Sequence, residues 1–154
     1  MNLKIRIATI NDAGSINLFN KNMAMETEGI PLNEEIAKRG VENLFKNPNY
    51  GYYLVAELDG AVVGQLMITY EWSDWRNGLF LWIQSVYVLP QYRKLGIYKS
   101  LYTNILNEAK NNSNICGIRL YVEKHNNTAR EVYSKLGMKE SEYAMYETDF
   151  VIKR

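Results

Sequence analysis

Leu3, Ile5 and Ile7 alternate with Lys4 and Arg6, which predicts an opening strand. Asn11 or Asp12 then stands where a helix N-cap is expected, before a helix with Ile16, Phe19 and Met23 on one side. Gly29-Ile30-Pro31 breaks that helix. Asn33 caps a second one, with Glu34 and Glu35 in the first turn, where the macrodipole favours them, and with Ile36, Val41, Leu44 and Phe45 as its apolar stripe. Residues 52–57 and 62–70 read as strands joined by the hairpin signal Asp59-Gly60. A polar and aromatic loop is predicted over 71–78, followed by a long strand over 79–89 that ends at Pro90. Gly96 opens a helix with Ile97, Leu101, Tyr102, Ile105, Leu106 and Ala109 on one face. A strand follows at 115–122. A short helix then starts at Asn126-Asn127-Thr128, carries Ala129, Val132, Tyr133 and Leu136, and stops at Gly137. A short strand around 138–142 and a final strand over 143–151 complete the pattern.

This order is an α/β layered domain with a mixed sheet: hairpins in the middle, and a crossover helix between the strands at 79–89 and 115–122. With 154 residues and no repeat, linker or low-complexity tract, a single domain over 1–154 is expected. Composition adds mainly exclusions. Eighteen basic against seventeen acidic residues leave a net charge of +1, which gives no global attraction to nucleic acid or to an anionic membrane surface. No apolar run approaches the ~20 residues of a membrane span, and no leader pattern opens the chain. One cysteine, Cys116, leaves no disulfide framework and reads as a buried strand thiol, so a reducing, cytoplasmic setting is expected. A single histidine, His125, with no cysteine pair beside it, predicts no metal site.

Positive charge gathers locally at Arg93, Lys94 and Lys99, where a strand runs through a short turn into a helix. The first amides of a helix lack intrahelical partners, and the macrodipole adds positive potential there, so such a turn holds phosphate. Gly96, with no Cβ, lets the backbone come close to the anion.

The spacing carries more than the charge does. Arg93-x-x-Gly96-x-Tyr98 after Val86-x-Val88-x-Pro90 resembles the Gln/Arg-x-x-Gly-x-Gly/Ala signature of the GNAT superfamily of N-acetyltransferases. Downstream, Asn126-x-x-Ala129-x-x-x-Tyr133-x-x-Leu136-Gly137-Met138 looks like the second signature of that family. Glu26-Thr27-Glu28, the segment Tyr70 to Arg76 and Trp82-Ile83-Gln84-Ser85-Val86-Tyr87-Val88 resemble a bacterial subgroup of it. The resemblance implies the GNAT fold: a mixed central sheet of about six or seven strands, about four flanking helices, and central parallel strands that splay apart. It implies acetyl-CoA as cosubstrate, held by Val86, Tyr87 and Val88 along the pantetheine arm, by Arg93, Lys94, Leu95, Gly96, Ile97, Tyr98 and Lys99 at the pyrophosphate, and by Asn126 and Tyr133. It implies acetyl transfer to a primary amine of a small molecule or peptide by direct attack in a ternary complex, with Tyr133 protonating the leaving thiolate. Position 98 departs from the pattern: a tyrosine stands where glycine or alanine is usual, so its side chain is expected to point away from the cofactor or to lie over its edge.

The base is open. The positions where family members carry a glutamate are matched here by Trp82 and Tyr121, neither of which accepts a proton at neutral pH. Glu26, Glu28, Glu71 and Glu123 are the substitutes, with Glu28 and Glu71 assigned to catalysis and Glu26 and Glu28 to an acidic acceptor rim; each also reads as an ordinary surface carboxylate. Tyr70, Trp72, Trp82 and Gln84 are expected to line the acceptor site, or else to cover the sheet or form the contact of a homodimer together with Trp75. Tyr133 reads equally as core packing on an apolar helix face. Two further functions fit the same residues: a non-catalytic acyl-CoA-binding module, because the base positions are empty, and an interaction domain without a cofactor.

Overall fold

The computed structural model describes residues 2–153. Among these residues five strands and four α-helices follow in the order β1 Leu3–Ile7, α1 Ala13–Glu28, α2 Glu34–Lys46, β2 Gly51–Leu58, β3 Ala61–Ser73, β4 Gly78–Val88, α3 Ile97–Lys110, β5 Ile115–Leu120 and α4 Asn127–Lys135. The chain divides into two compact units, one running to Tyr121 and one starting at Val122.

In the first unit the sheet order is β1-β2-β3-β4-β5. The pairs β1–β2, β2–β3 and β3–β4 are antiparallel and β4–β5 is parallel, joined through α3. The pleat assigns the two faces. Tyr53 and Val55 pack with Ile16 of α1 and with Val41 and Leu44 of α2, with Met67 and Phe45 against them. Tyr52, one residue away, points to the other face and donates to Glu108 Oε2 of α3 at 2.9 Å. Leu66, Ile68, Leu81, Leu101 and Ile105 are all at most 1% exposed, so the core is continuous from β2 to β4.

Local sequence explains most boundaries. Asn33 Oδ1 accepts the Ile36 amide at 3.0 Å, the cap expected for α2. Asp12 acts differently from a helix cap: its carboxylate takes both Arg6 Nη1 (2.8 Å) and Nη2 (2.9 Å) and the Thr9 amide (2.8 Å), which ties β1 to the start of α1. Ile36 is 56% exposed, so the stripe of α2 begins only at Val41. Cys116 is half-buried in β5 rather than buried.

The structure corrects the strand pattern in two places. Half of the loop expected over 71–78 is strand, because Glu71, Trp72 and Ser73 pair with Phe80, Leu79 and Gly78 and leave only 74–77 as the turn. The strands expected at 138–142 and 143–151 do not form among the described residues, so the strand count is five and not six or seven. Three amides there find local side-chain acceptors. The amides of Val151 and Ile152 both donate to Asp149 Oδ1 at 2.8 Å, and the Tyr143 amide donates to Ser141 Oγ at 3.2 Å. The apolar side chains of this segment stand open, with Tyr146 94% and Phe150 88% exposed.

Candidate active site

The site begins with a fault in β4. Gln65 pairs with Tyr87 and Met67 with Gln84, so both Ser85 and Val86 stand opposite Leu66. Ser85 takes a φ of 51°, unusual for a residue with a side chain. Gln65, 0% exposed, holds the bulge: its Nε2 donates to the Ser85 carbonyl at 3.0 Å and to Asn20 Oδ1 of α1 at 2.8 Å. A buried glutamine in a strand core is the signal that sequence reading passed over.

Beyond the bulge the sheet opens. The β4–β5 ladder runs from Leu79↔Ile115 to Ile83↔Leu120 and no further among the described residues, whereas β4 continues to Val88. The stretch Gln84–Val88 therefore has β3 on one side and no ladder on the other, because β5 ends at Leu120. Val86 and Val88 are half-buried along this stretch, and the Tyr87 side chain is buried.

The turn after β4 has the geometry of an anion cradle. Pro90–Tyr92 makes one 3-10 turn, and Lys94 and Gly96 then take left-handed φ values of 66° and 80° before α3 starts at Ile97. Alternation into the left-handed region curls successive amides toward one side, and the 14-residue α3 adds its unpaired first amides and its dipole. A Cβ built on Gly96 meets nothing within 4 Å, so space is open where the anion would sit. Arg93, Lys94, Leu95, Gly96 and Lys99 are exposed, while Ile97 is buried and anchors the helix. Tyr98 packs along its own helix, its ring 6.4 Å from that of Tyr102 and its hydroxyl buried. The residues at 93–99 thus fit a pyrophosphate.

Arg93 does more than lend charge. Its Nε donates to the Val88 carbonyl at 2.8 Å, its Nη2 donates to Glu26 Oε2 at 2.7 Å, and its guanidinium lies 5.3 Å over the Tyr87 ring. Tyr87 Oη donates to Glu26 Oε1 at 2.7 Å, and the Tyr87 ring sits 5.3 Å from Phe19 of α1. Burial pushes the Glu26 carboxyl up, but the hydrogen bonds from Arg93 and Tyr87 and the Arg93 charge outweigh it and hold the group below the ordinary carboxylate range.

The remaining first-unit candidates fall on two faces. Thr69 pairs with Trp82, and its hydroxyl accepts Gln84 Nε2 at 2.6 Å, so Trp82 and Gln84 share the face that bears α1 and α2. Glu71 has the same parity and is ion-paired to Arg119, whose guanidinium lies 3.7 Å from the Phe80 ring centre. Gly117 makes room for this stack, since a Cβ there would stand 2.5 Å from Phe80 Cε1. The Trp82 ring lies 6.0 Å from that of Tyr121. Tyr70 and Trp72 have the opposite parity and stand on the α3 face, where burial and then the Glu108 charge push the Tyr70 hydroxyl up. The structure therefore separates Tyr70 and Trp72 from Trp82 and Gln84 by the thickness of the sheet. Arg119 joins the α1 face unannounced by any motif. Glu28 is exposed at the end of α1.

In the second unit, Asn126 Oδ1 caps α4 by accepting the Ala129 amide at 3.2 Å. Tyr133 is half-buried, and burial pushes its hydroxyl above the ordinary tyrosine value, so it stays protonated at neutral pH. Gly137 ends the helix with φ 89°, its amide bonding Ser134 O at 3.0 Å. His125 and Glu123 lie in the exposed turn before it. Among the described residues no group of three or more His, Cys, Asp and Glu is placed to hold a metal, and no helix is long and apolar enough to cross a membrane.

The profile of the Acetyltransferase (GNAT) family matches residues 15–138. The chain belongs to that family. It is an acyltransferase, and acetyl-CoA is the cosubstrate of the family. Two relatives named N-alpha-acetyltransferase resemble it. The one from Sulfolobus acidocaldarius is 31% identical over 91% of this chain and 82% of its own length. The one from Sulfurisphaera tokodaii is 37% identical over 57% of this chain, and that match spans only 56% of the relative. A crystal structure of a "possible acetyltransferase" from Clostridium difficile 630 superposes with a TM-score of 0.91 at 45% identity, covering 99% of this chain and 100% of that one.

Proposed function

We propose that the chain is an N-acetyltransferase that moves the acetyl group of acetyl-CoA to a primary amine of a small molecule or peptide by direct attack in a ternary complex. The observation that carries this reading is the pairing of an open, left-handed turn at Lys94 and Gly96 with a β4 strand that runs on past its β5 ladder. The name shared by the two relatives favours a peptide α-amine as acceptor. We take residues 1–154 as one functional domain, supported by a family match that spans both compact units.

When bound, acetyl-CoA supplies an activated acetyl thioester. The amides from Arg93 to Lys99 would hold the pyrophosphate, and Lys94 and Lys99 add charge from the exposed side. Backbone groups of Val86 to Val88 would orient the arm and could offer an amide to the acetyl oxygen. Asn126 contacts the pantetheine. Tyr133 Oη holds the proton that the departing thiolate takes; a thiol of pKa ~8.5 needs only modest help. The amine enters on the α1 face beside Trp82 and Gln84. Glu28 and Glu71 are the candidate bases, and Glu71 is ion-paired to Arg119. The same ion pair supports a second reading, a non-catalytic acyl-CoA-binding module. The reading also includes a cytoplasmic location, suggested by the single cysteine, and a homodimer, suggested by Trp72 and Trp75 at 60% and 86% exposure; sedimentation velocity tests the dimer.

Thermal melting with acetyl-CoA tests the cofactor site. A ligand at ~100 times its dissociation constant adds roughly 2.7 kcal/mol, a rise of roughly 5–10 °C for a chain of this size. No shift at millimolar acetyl-CoA overturns the reading.

A further inference from the structure

Glu26 was expected on the acceptor rim, and its hydrogen bonds point to a second role. It sits in the last turn of α1, a turn with no basic residue, where the macrodipole disfavours a carboxylate. A cation must come from elsewhere, and it comes from Arg93, 67 positions along the chain. Both carboxylate oxygens are used: Oε2 by Arg93 Nη2 and Oε1 by Tyr87 Oη, each at 2.7 Å. The guanidinium is fixed in turn by the Val88 carbonyl at 2.8 Å and by the face of the Tyr87 ring.

We propose that Glu26 is a positioning residue for the pyrophosphate turn: with Tyr87 it clamps Arg93, the residue that enters the left-handed stretch at Lys94, against the end of α1. The inference rests on the cofactor reading above. Its consequence is that acetyl-CoA affinity depends on a carboxylate of α1, while amine recognition does not. The end of β4 is gripped from two sides, by Gln65 at the bulge and by the Glu26–Arg93–Tyr87 cluster at its exit. The direction of the amides after Arg93 is set by where Arg93 is held.

The test is a double-mutant cycle on acetyl-CoA dissociation constants by titration calorimetry, using the full chain. Glu26 and Arg93 side chains are 39% and 44% exposed, so Glu26→Gln and Arg93→Gln leave the fold intact and the pair has the strength of a partly screened bridge. Glu26→Gln should weaken acetyl-CoA binding about threefold to fivefold. In the Arg93→Gln background the same change should do nothing further. In steady-state assays the loss should fall on the KM for acetyl-CoA and shrink as acetyl-CoA is raised to saturation. A residue that merely stabilises α1 would lower the cofactor-free melting temperature without this split. The proposal is overturned if Glu26→Gln binds acetyl-CoA as the wild type does, if the two changes add, or if the peptide KM rises while acetyl-CoA affinity holds. Absence of acetyl-CoA binding by the wild type itself removes the cofactor reading, and the clamp with it.

Discussion

Gln65→Met tests whether the bulge that opens β4 is held from outside the strand. Methionine keeps the length and the apolar stem of glutamine and removes its amide. Two hydrogen bonds vanish, to the Ser85 carbonyl at 3.0 Å and to Asn20 Oδ1 at 2.8 Å. Each is worth about 1 kcal/mol net, and the stranded Ser85 carbonyl adds about 1–3 kcal/mol. Against this, Gln65 Oε1 is itself buried with no hydrogen-bond partner among the described residues, and its removal returns a similar penalty. The net cost is about 2 kcal/mol, a fall in melting temperature of roughly 4–8 °C at this chain length. Ser85 loses what keeps it at φ 51°, so the strand beyond it relaxes and acetyl-CoA binds more weakly. Adding Ser85→Gly removes a left-handed cost of about 1–2 kcal/mol and recovers part of the loss. Calorimetric melting with and without acetyl-CoA reads all three variants. A Gln65→Met protein that melts within ~0.5 kcal/mol of the wild type and binds acetyl-CoA equally would refute the argument.

Three further outcomes follow from the same contacts. The Arg6 hydrogen bonds hold the Asp12 carboxyl below its ordinary value against the upward push of burial, so its stabilisation is present above pH ~3.9 and is lost as pH falls through the lower folded value; in urea melts Asp12→Asn should cost about 2 kcal/mol at pH 7, with the gap narrowing in acid, and a gap that does not narrow as pH falls would count against the pair. Gly117→Ala drives a Cβ into the Phe80 ring, which carries Arg119 above it, and should cost about 1–3 kcal/mol by thermal melting, with Phe80→Leu restoring part of it; an undisturbed single variant would mean the stack yields freely. Tyr133→Phe should lower kcat about 10²-fold with acetyl-CoA affinity largely kept, and unchanged turnover across amine substrates removes Tyr133 from the chemistry.

What the sequence made legible was periodic or local. The α3 stripe from Ile97 to Ile105 and the cap at Asn33 are written within a few residues of where they act. The turn before α3 was legible for the same reason, since Gly96 and the basic residues lie within one strand–turn–helix step. What escaped reading is held across distance. Arg93 meets Glu26 67 positions away, and Glu71 meets Arg119 48 positions away, and no spacing rule connects them. The extension of β3 through Trp72 was hidden by a loop-like composition that pairing with β4 overrides. The segment at 143–151 failed in the opposite way: its apolar residues suggest a strand, and Asp149 offers the backbone a nearer partner.

The central claim is acetyl transfer from a cofactor seated over the first turn of α3. Incubation with acetyl-CoA and a peptide bearing a free α-amine, alongside the same peptide blocked at its N-terminus and a panel of small amines, followed by mass spectrometry, addresses it most directly. A product heavier by one acetyl group should form on at least one free amine and be lost in Gly96→Val, whose side chain fills the open space at a φ of 80°. Acetyl-CoA binding with no acetylated amine anywhere in the panel, or equal product from Gly96→Val, would contradict it.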